Sequence, residues 1–398
     1  MINPVNSSYQ SIKSQDDKKI VVVGGGLAGA SIARSIAERG QKVLVIDPLY
    51  ILGASVAQTG HLAAAMTPLI AAGTDQRAAI NQFAFEFTYK KWQEWLSSDT
   101  VNACGTLKRA LETGSQKNLL KAAHKLQDPN IEIVSAENAS QIAKIKIDES
   151  CVWFKKACLV KLDQLVSELI EHPAIERLCT KVNRIERSAD KWILKLDEDW
   201  QSDNETVWSE INADVVVLAN SIGVKTLLMD SGLLNEKDYP KLSQLHALGG
   251  QVFFVEQSDY AGPECIVSGS GYVLPAVDGK VVLGSSYQHD EVEPTVTLAE
   301  QKRILAKMPN EVQEKITFHV LDPNIETPRS AWSGTRPVVP GRTPVIGELP
   351  TAKGIYLATA YASHGLSWSG LGAEIIAGMI FGEALPLEEE ALKFLAVR

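Results

Sequence analysis

The stretch KKIVVVGGGLAGASIARSIAERGQKVLVIDP, Lys18 to Pro48, constrains this chain most, because its apolar pattern changes period twice within one short segment. Ile20 to Val23 are continuously apolar, as a strand buried on both faces requires. Ala30, Ile32, Ala33, Ile36 and Ala37 then recur at helical spacing until Gly40, and VLVI resumes a strand. At the first junction Gly24, Gly26 and Gly29 spell GxGxxG. The first glycine permits a tight turn, the second lets a phosphate approach the backbone, and the third allows close helix packing. The helix N-terminus, with the N–H groups of Gly26, Leu27, Ala28 and Gly29, offers donors and a positive dipole end to that phosphate. Asp47 closes the second strand, where a carboxylate accepts hydrogen bonds from a ribose diol. The segment predicts a βαβ unit built to hold a dinucleotide.

Two later segments read as further buried parallel strands: ADVVVLANSIG, from Ala213 to Gly223, and GIYLATAYASHG, from Gly354 to Gly365. Each ends in small residues, as it must where backbone closes on a ligand at the carboxyl edge of a sheet. If all three share one sheet, that domain is discontinuous. Between them the character changes. Helical signals run from Phe83 to Lys125, and from Gly249 the pattern turns to strands, with Asp278-Gly279 between apolar runs marking a two-residue hairpin. An antiparallel sheet with helices, inserted into the first domain, is expected.

With 398 residues the chain is long enough for two domains or one large one, and its 45% apolar content allows ordinary buried cores. Its net charge of −9 disfavours a partner recognised mainly through phosphates, such as nucleic acid. Five cysteines without a CxxC pair suggest free thiols in a reducing cytoplasm rather than a disulfide framework or zinc site. Seven histidines show no metal-ligand spacing, so no metal is expected. Residues 1–17 are polar, lack the apolar run of a signal peptide, and read as a disordered tail. No segment approaches the roughly 18 apolar residues of a membrane span, so no membrane partner is expected. GASVAQTGHLAAAM, after Asp47, and ATAYASHGLSWSG near the C-terminus are two more small-residue segments. A ligand touched at three such places is long and enclosed, which favours FAD over an exchangeable nicotinamide.

These motifs, with GYVLP, VVLGSSY and GTRPVVPGRTPVIG, together resemble the D-amino-acid oxidase superfamily of FAD proteins, which includes glycine oxidase and sarcosine oxidase. The resemblance runs from about Lys18 to Leu385. Within it the spacing is most similar to the FAD oxidase half of the bifunctional tRNA 5-methylaminomethyl-2-thiouridine enzymes, and the methyltransferase half has no counterpart here. The resemblance implies a Rossmann-like α/β FAD-binding domain over 18–85, 155–230 and 335–398, interleaved with a mainly antiparallel α+β substrate domain over 86–154 and 231–334. It implies oxidation of a C–N bond in a small amine or amino acid such as glycine, sarcosine or an N-substituted glycine. The alternative is removal of the carboxymethyl group from 5-carboxymethylaminomethyluridine, with tRNA as partner. Oxygen, a quinone or another protein would take the electrons.

By the same resemblance, Arg336 binds the substrate carboxylate beside the flavin, because a guanidinium forks onto a carboxylate and stays charged. Arg342 reads instead as a structural cation. Tyr272 either helps hold the carboxylate or fills the core. FAD contacts are implied for Gly53, Ala54, Ser55, Gly60, His61, Leu62, Val182, Ala219 and Gly223, and for His364, Gly365, Leu366 and Ser367. His61 is expected as a polar neighbour of the ring rather than a covalent attachment point. His364 acts through its backbone or is a satisfied loop histidine. Trp332 and Trp368 line the pocket or fill the core.

Overall fold

The structure, a computed structural model, describes residues 18–52, 60–73, 75–96, 99–112, 118–197, 209–289, 294–320 and 330–398. The tail expected at 1–17 and the cofactor contacts expected at Gly53, Ala54 and Ser55 lie outside the described residues. The chain divides into two compact units. The first is Met1–Thr59, Val166–His246 and Pro337–Arg398; the second is Gly60–Leu165 and Ala247–Arg336.

In the first unit, a six-stranded sheet runs in the order Val345–Glu348, Ile355–Thr359, Val215–Leu218, Ile20–Val23, Val43–Ile46, Ile175–Leu178. All neighbours are parallel except Val345–Glu348 with Ile355–Thr359. The central strands are buried residue by residue, which is why their sequences are unbroken apolar runs. The three separated segments stand side by side, with Ile20 opposite Val215 and Val216 opposite Ile355, so the sheet is discontinuous in sequence as expected. Helices Leu27–Ala37 and Gly365–Phe381 pack on one another. Across that contact Leu27 of the first helix faces Gly365 of the second, where a Cβ would lie 3.8 Å from Leu27 Cδ2. Glu374 ties them, accepting from Ser35 Oγ at 2.6 Å and from Arg39 Nη1 at 3.2 Å. A three-stranded antiparallel sheet, Val182–Ser188, Lys191–Leu196 and Glu210–Ala213, completes the unit.

In the second unit, one large sheet follows the order Gln288–His289, His246–Glu256, Lys280–Gly284, Tyr272–Val273, Ile266–Ser268, Thr106–Arg109, Cys151–Phe154, Ile131–Val134, with Ala331–Val338 also paired to His246–Glu256. It is mainly antiparallel, as expected, and Ile266–Ser268 pairs parallel with Thr106–Arg109. The hairpin at Asp278-Gly279 forms, both residues taking positive φ (49° and 79°) and Val277 and Lys280 exchanging backbone hydrogen bonds. One face of the sheet carries Leu107, Val267, Val273 and Leu283 into a core with helices Ala136–Ala143 and Leu298–Leu305. The opposite face gathers Val252, Ile266, Leu274 and Val282, with Leu62, Tyr272 and Trp332 packed against them.

The sequence reading sets 60–85, 155–165 and 335–336 with the first unit, whereas they cluster with the second, and 231–246 clusters with the first. The reason is pairing. Ala63–Met66 runs antiparallel to Cys158–Lys161, and a short apolar strand carries no mark of its partner.

Candidate functional site

The glycine junction of the first unit is built as its sequence demands. Gly24 has φ +101°, and a Cβ there would stand 2.7 Å from the backbone of Ala219, which follows the neighbouring strand. A Cβ on Gly29 would meet the carbonyl oxygen of Gly24 at 1.8 Å. Helix Leu27–Ala37 begins at Gly26, which has no side chain to cap its first N–H groups. Asp47 is held by two backbone donors, the N–H of Gly25 at 2.7 Å and of Leu49 at 2.9 Å. Burial raises the Asp47 pKa, and these two hydrogen bonds act against that rise.

At the carboxyl edge of the sheet, Ser221, Ala360 and Ala362 take positive φ of 58°, 59° and 51°, an unusual concentration of left-handed backbone on non-glycine residues. Thr359 Oγ1 donates to the Ser221 carbonyl at 3.1 Å and ties the two strand ends together. There helix Gly365–Phe381 starts, also without a side-chain cap, and a Cβ on Gly365 would lie 3.8 Å from Leu27 Cδ2. Two helix N-termini thus meet beside the glycine turn. Buried Asn220 Oδ1 and Tyr50 Oη have no hydrogen-bond partner.

This cradle fits a dinucleotide: backbone packed too closely for side chains, uncapped helix ends for phosphates, and a carboxylate at the end of the second strand. It gathers Gly24, Gly26, Leu27, Ala28, Gly29, Asp47, Ala219 and Gly223 with His364, Gly365, Leu366 and Ser367 in one unit. Val182 belongs to the same unit but is a buried residue of the small antiparallel sheet, paired with Leu196. Sequence reading missed Tyr50, whose hydroxyl lies 2.0 Å from where a Cβ on Gly25 would be, and Arg177, 5.9 Å from the Tyr50 ring centroid. Nothing in their spacing announces them.

Of the remaining expected residues, Arg336, Tyr272, Gly60, His61, Leu62 and Trp332 fall in the second unit, and Arg342 and Trp368 in the first. Arg336, on strand Ala331–Val338, reaches the face that carries Tyr272: a Cβ on Gly250 would stand 2.3 Å from its Nη1. Arg336 Nη2 donates to Ser285 Oγ at 3.2 Å, while Nη1 is buried without a partner. The Tyr287 ring lies 5.2 Å from its Cζ, a cation–π contact. Tyr272 leans over Gly284, where a Cβ would meet its Oη at 2.5 Å. Burial pushes its phenol up to about 12, and the Arg336 charge acts in the opposite direction.

His61 is only 7% exposed and meets the Trp332 ring edge-on, with centroids 4.4 Å apart. Its Nδ1 has no hydrogen-bond partner. Burial, then the Arg336 charge, takes its pKa down to about 4, so the ring is neutral at neutral pH. Gly60 donates its N–H to Asp163 Oδ2 at 3.3 Å, and Leu62 packs with Trp332. Arg342, by contrast, is exposed, with φ +50° in the turn after the strand. Trp368 is 2% exposed in the helix core of the first unit. Lys307, which sequence reading missed, donates to the Ser285 carbonyl at 3.1 Å.

Among the described residues no group of three or more His, Cys, Asp and Glu is placed to hold a metal ion, and no helix is long and apolar enough to cross a membrane. Comparison with known proteins agrees with the geometry. The family model for FAD dependent oxidoreductases, DAO, matches residues 19–379. Among curated proteins the chain is similar to the tRNA 5-methylaminomethyl-2-thiouridine biosynthesis bifunctional protein of Cupriavidus necator, 26% identical over 94% of this chain and 59% of that protein. The counterpart from Aromatoleum aromaticum is 27% identical over 93% of this chain and 58% of that protein. The chain thus spans about three-fifths of these relatives' length.

Among solved structures, glycine oxidase from Geobacillus kaustophilus superposes with a TM-score of 0.71 at 15% identity, covering 96% of this chain and 98% of that one. Iminodiacetate oxidase from Chelativorans sp. gives 0.70 at 16%, covering 96% and 100%. At such identity these likenesses establish the fold. With the family model matched over nearly its whole length, this chain belongs to the DAO family of FAD dependent oxidoreductases, and FAD is its cofactor.

Proposed function

We propose that the chain oxidises the C–N bond of a small primary or secondary amino acid of the glycine, sarcosine or N-substituted glycine type. The observation that carries this reading is the half-satisfied fork of Arg336: one nitrogen is held by Ser285, and the other is buried with no partner. A buried guanidinium nitrogen without an acceptor is costly, and a carboxylate supplies two acceptors in the matching plane. Neutral His61 adds no charge beside it. Trp332 walls the ring on one side and keeps water from that edge.

The cradle of the first unit would hold FAD through the N–H groups of Gly26 to Gly29 and Gly365 to Ser367, with Asp47 at the ribose. FAD, when bound, supplies the acceptor for a hydride from the substrate α-carbon. The chain's own work is to fix the carboxylate on Arg336 and to hold the amine in its neutral form. The resulting imine adds water and releases the amine and a 2-oxo acid.

The test is anaerobic titration of the FAD-loaded protein with glycine, sarcosine and iminodiacetate. At least one should bleach the flavin. Arg336→Ala should retain flavin yet lose roughly 100-fold in kcat/KM, the scale of a lost charged, paired hydrogen bond of about 3 kcal/mol. Bleaching by none of the panel would remove this reading.

A second reading, removal of the carboxymethyl group from 5-carboxymethylaminomethyluridine in tRNA, is supported by the curated relatives, whose similarity covers 94% and 93% of this chain. That substituent is itself an N-substituted glycine, so the same Arg336 fork would serve. The net charge of −9 weighs against a large phosphate-binding face. Nucleoside analysis of tRNA from a deletion strain decides, an unchanged modification profile excluding it.

A further inference from the structure

Across the second unit's sheet, four residues stand in one registered row on the face that carries Arg336. Gly284 is opposite Tyr272, Tyr272 opposite Ser268, and Ser268 opposite Lys108. Registered residues of adjacent strands project from the same side of a sheet. The alternate residues Leu283, Val273, Val267 and Leu107 all enter the core on the other side, which fixes the face of the row. Tyr272 leans over Gly284, toward the Arg336 end. Lys108 lies at the other end, two strands from Tyr272, roughly 9–10 Å at the ordinary strand spacing. It is partly buried, and burial is the one influence lowering its pKa. Among the described residues it has no hydrogen-bond or ion-pair partner, while its strand neighbour Arg109 is paired with Glu149. Thr106, on the same face of that strand, spends its hydroxyl on Thr67 at 2.9 Å.

Among the described residues, a partly buried ammonium without a partner, facing the same side as an open guanidinium fork, is a second acceptor-seeking group on the same sheet face. We propose that Lys108 determines specificity by binding an oxygen acceptor on the nitrogen substituent of the substrate, at the far end from the carboxylate held by Arg336. The site then selects N-substituted glycines over glycine. The acceptor is the second carboxylate of a small imino diacid or the carbonyl oxygen of a modified uracil. This rests on the carboxylate-anchoring reading of Arg336.

The experiment uses the FAD-loaded protein and calorimetric titration with three probes that differ at the distal end. Methylthioacetate has one carboxylate, thiodiacetate has two, and 5-carboxymethylaminomethyluridine carries a uracil. At least one two-ended probe should bind more tightly than methylthioacetate. Lys108→Met should abolish that excess, a loss of roughly tenfold or more, with methylthioacetate changed by less than about twofold. Lys108→Arg should restore much of it. Exchanging a partly buried ammonium for an apolar chain of similar length leaves the fold intact, which unchanged thermal unfolding would verify. Loss with thiodiacetate identifies the diacid, and loss with the nucleoside identifies the uracil. If Lys108→Met weakens all three probes alike, or none, the proposal is overturned. Arg336→Ala separates the two readings. If it weakens every probe while Lys108→Met changes none, only the Lys108 assignment falls; if it weakens none, the carboxylate anchor falls and the Lys108 assignment with it.

Discussion

His61 shows how one side chain's environment sets a measurable property. An imidazole ordinarily titrates near about 6.5, and here burial first and the Arg336 guanidinium second bring it to about 4. As pH falls through 6.5 the unfolded chain takes up a proton that the folded chain refuses until about 4. Stability present above that window is therefore lost across it, by up to about 3 kcal/mol at 1.36 kcal/mol per pKa unit. Urea unfolding of the wild type and of His61→Phe, near pH 7.5 and near pH 4.5, should show the wild type losing more stability in acid than the variant. Equal losses would contradict the assignment. The residue itself was legible in the segment TGH, but its state was not, because the charge that sets it sits 275 positions later, at Arg336. Lys108 is the opposite case. Nothing in KRAL distinguishes it from a surface lysine, and only the registered row shows where it faces.

At the scale of elements, the glycine junction and the hairpin were readable because both depend on sterics among neighbours in sequence. Gly29 illustrates the sensitivity. A methyl group there would collide with the Gly24 carbonyl at 1.8 Å, so Gly29→Ala should cost the protein its flavin. Absorbance of the bound flavin after gel filtration measures this. Gly73→Ala, where a Cβ meets nothing within 4 Å, is the control and should retain its colour. Tyr50→Phe removes a buried hydroxyl that has no partner, so it should leave stability unchanged or raise it by about 1 kcal/mol, measured by denaturant unfolding without cofactor. The helical signals expected from Phe83 to Lys125 correspond to two helices, Gln76–Trp95, which begins before them, and Leu119–Leu126, with strands Val101–Asn102 and Thr106–Arg109 between. The short strand Ala63–Met66 was read as part of a cofactor-lining segment, and its pairing with Cys158–Lys161 could not be read from four alanine-rich residues.

For the whole molecule, a cofactor that binds only the folded chain must stabilise it by mass action. At a free FAD concentration one hundred times its Kd, the gain is about 2.7 kcal/mol, so stripped and reconstituted protein should differ by that amount in unfolding free energy. Equal stabilities would mean that FAD does not engage the folded cradle. The discontinuous sheet was foreseeable because buried parallel strands announce themselves as unbroken apolar runs wherever they lie. The limits of the two units were less so, since they turn on which short strands pair. By itself the sequence determined the dinucleotide junction and the interleaving of two sheets, which follow from local sterics and from the period of apolar residues, and its small-residue segments and family resemblance pointed to the cofactor. Only the tertiary structure decided which cations matter. It buried one nitrogen of the Arg336 fork without a partner, left Arg342 exposed, and turned Lys108 to the same face as Tyr272. The reason is that burial and register are set by strands far apart in the chain, and no local pattern encodes which side of a distant strand a side chain will meet.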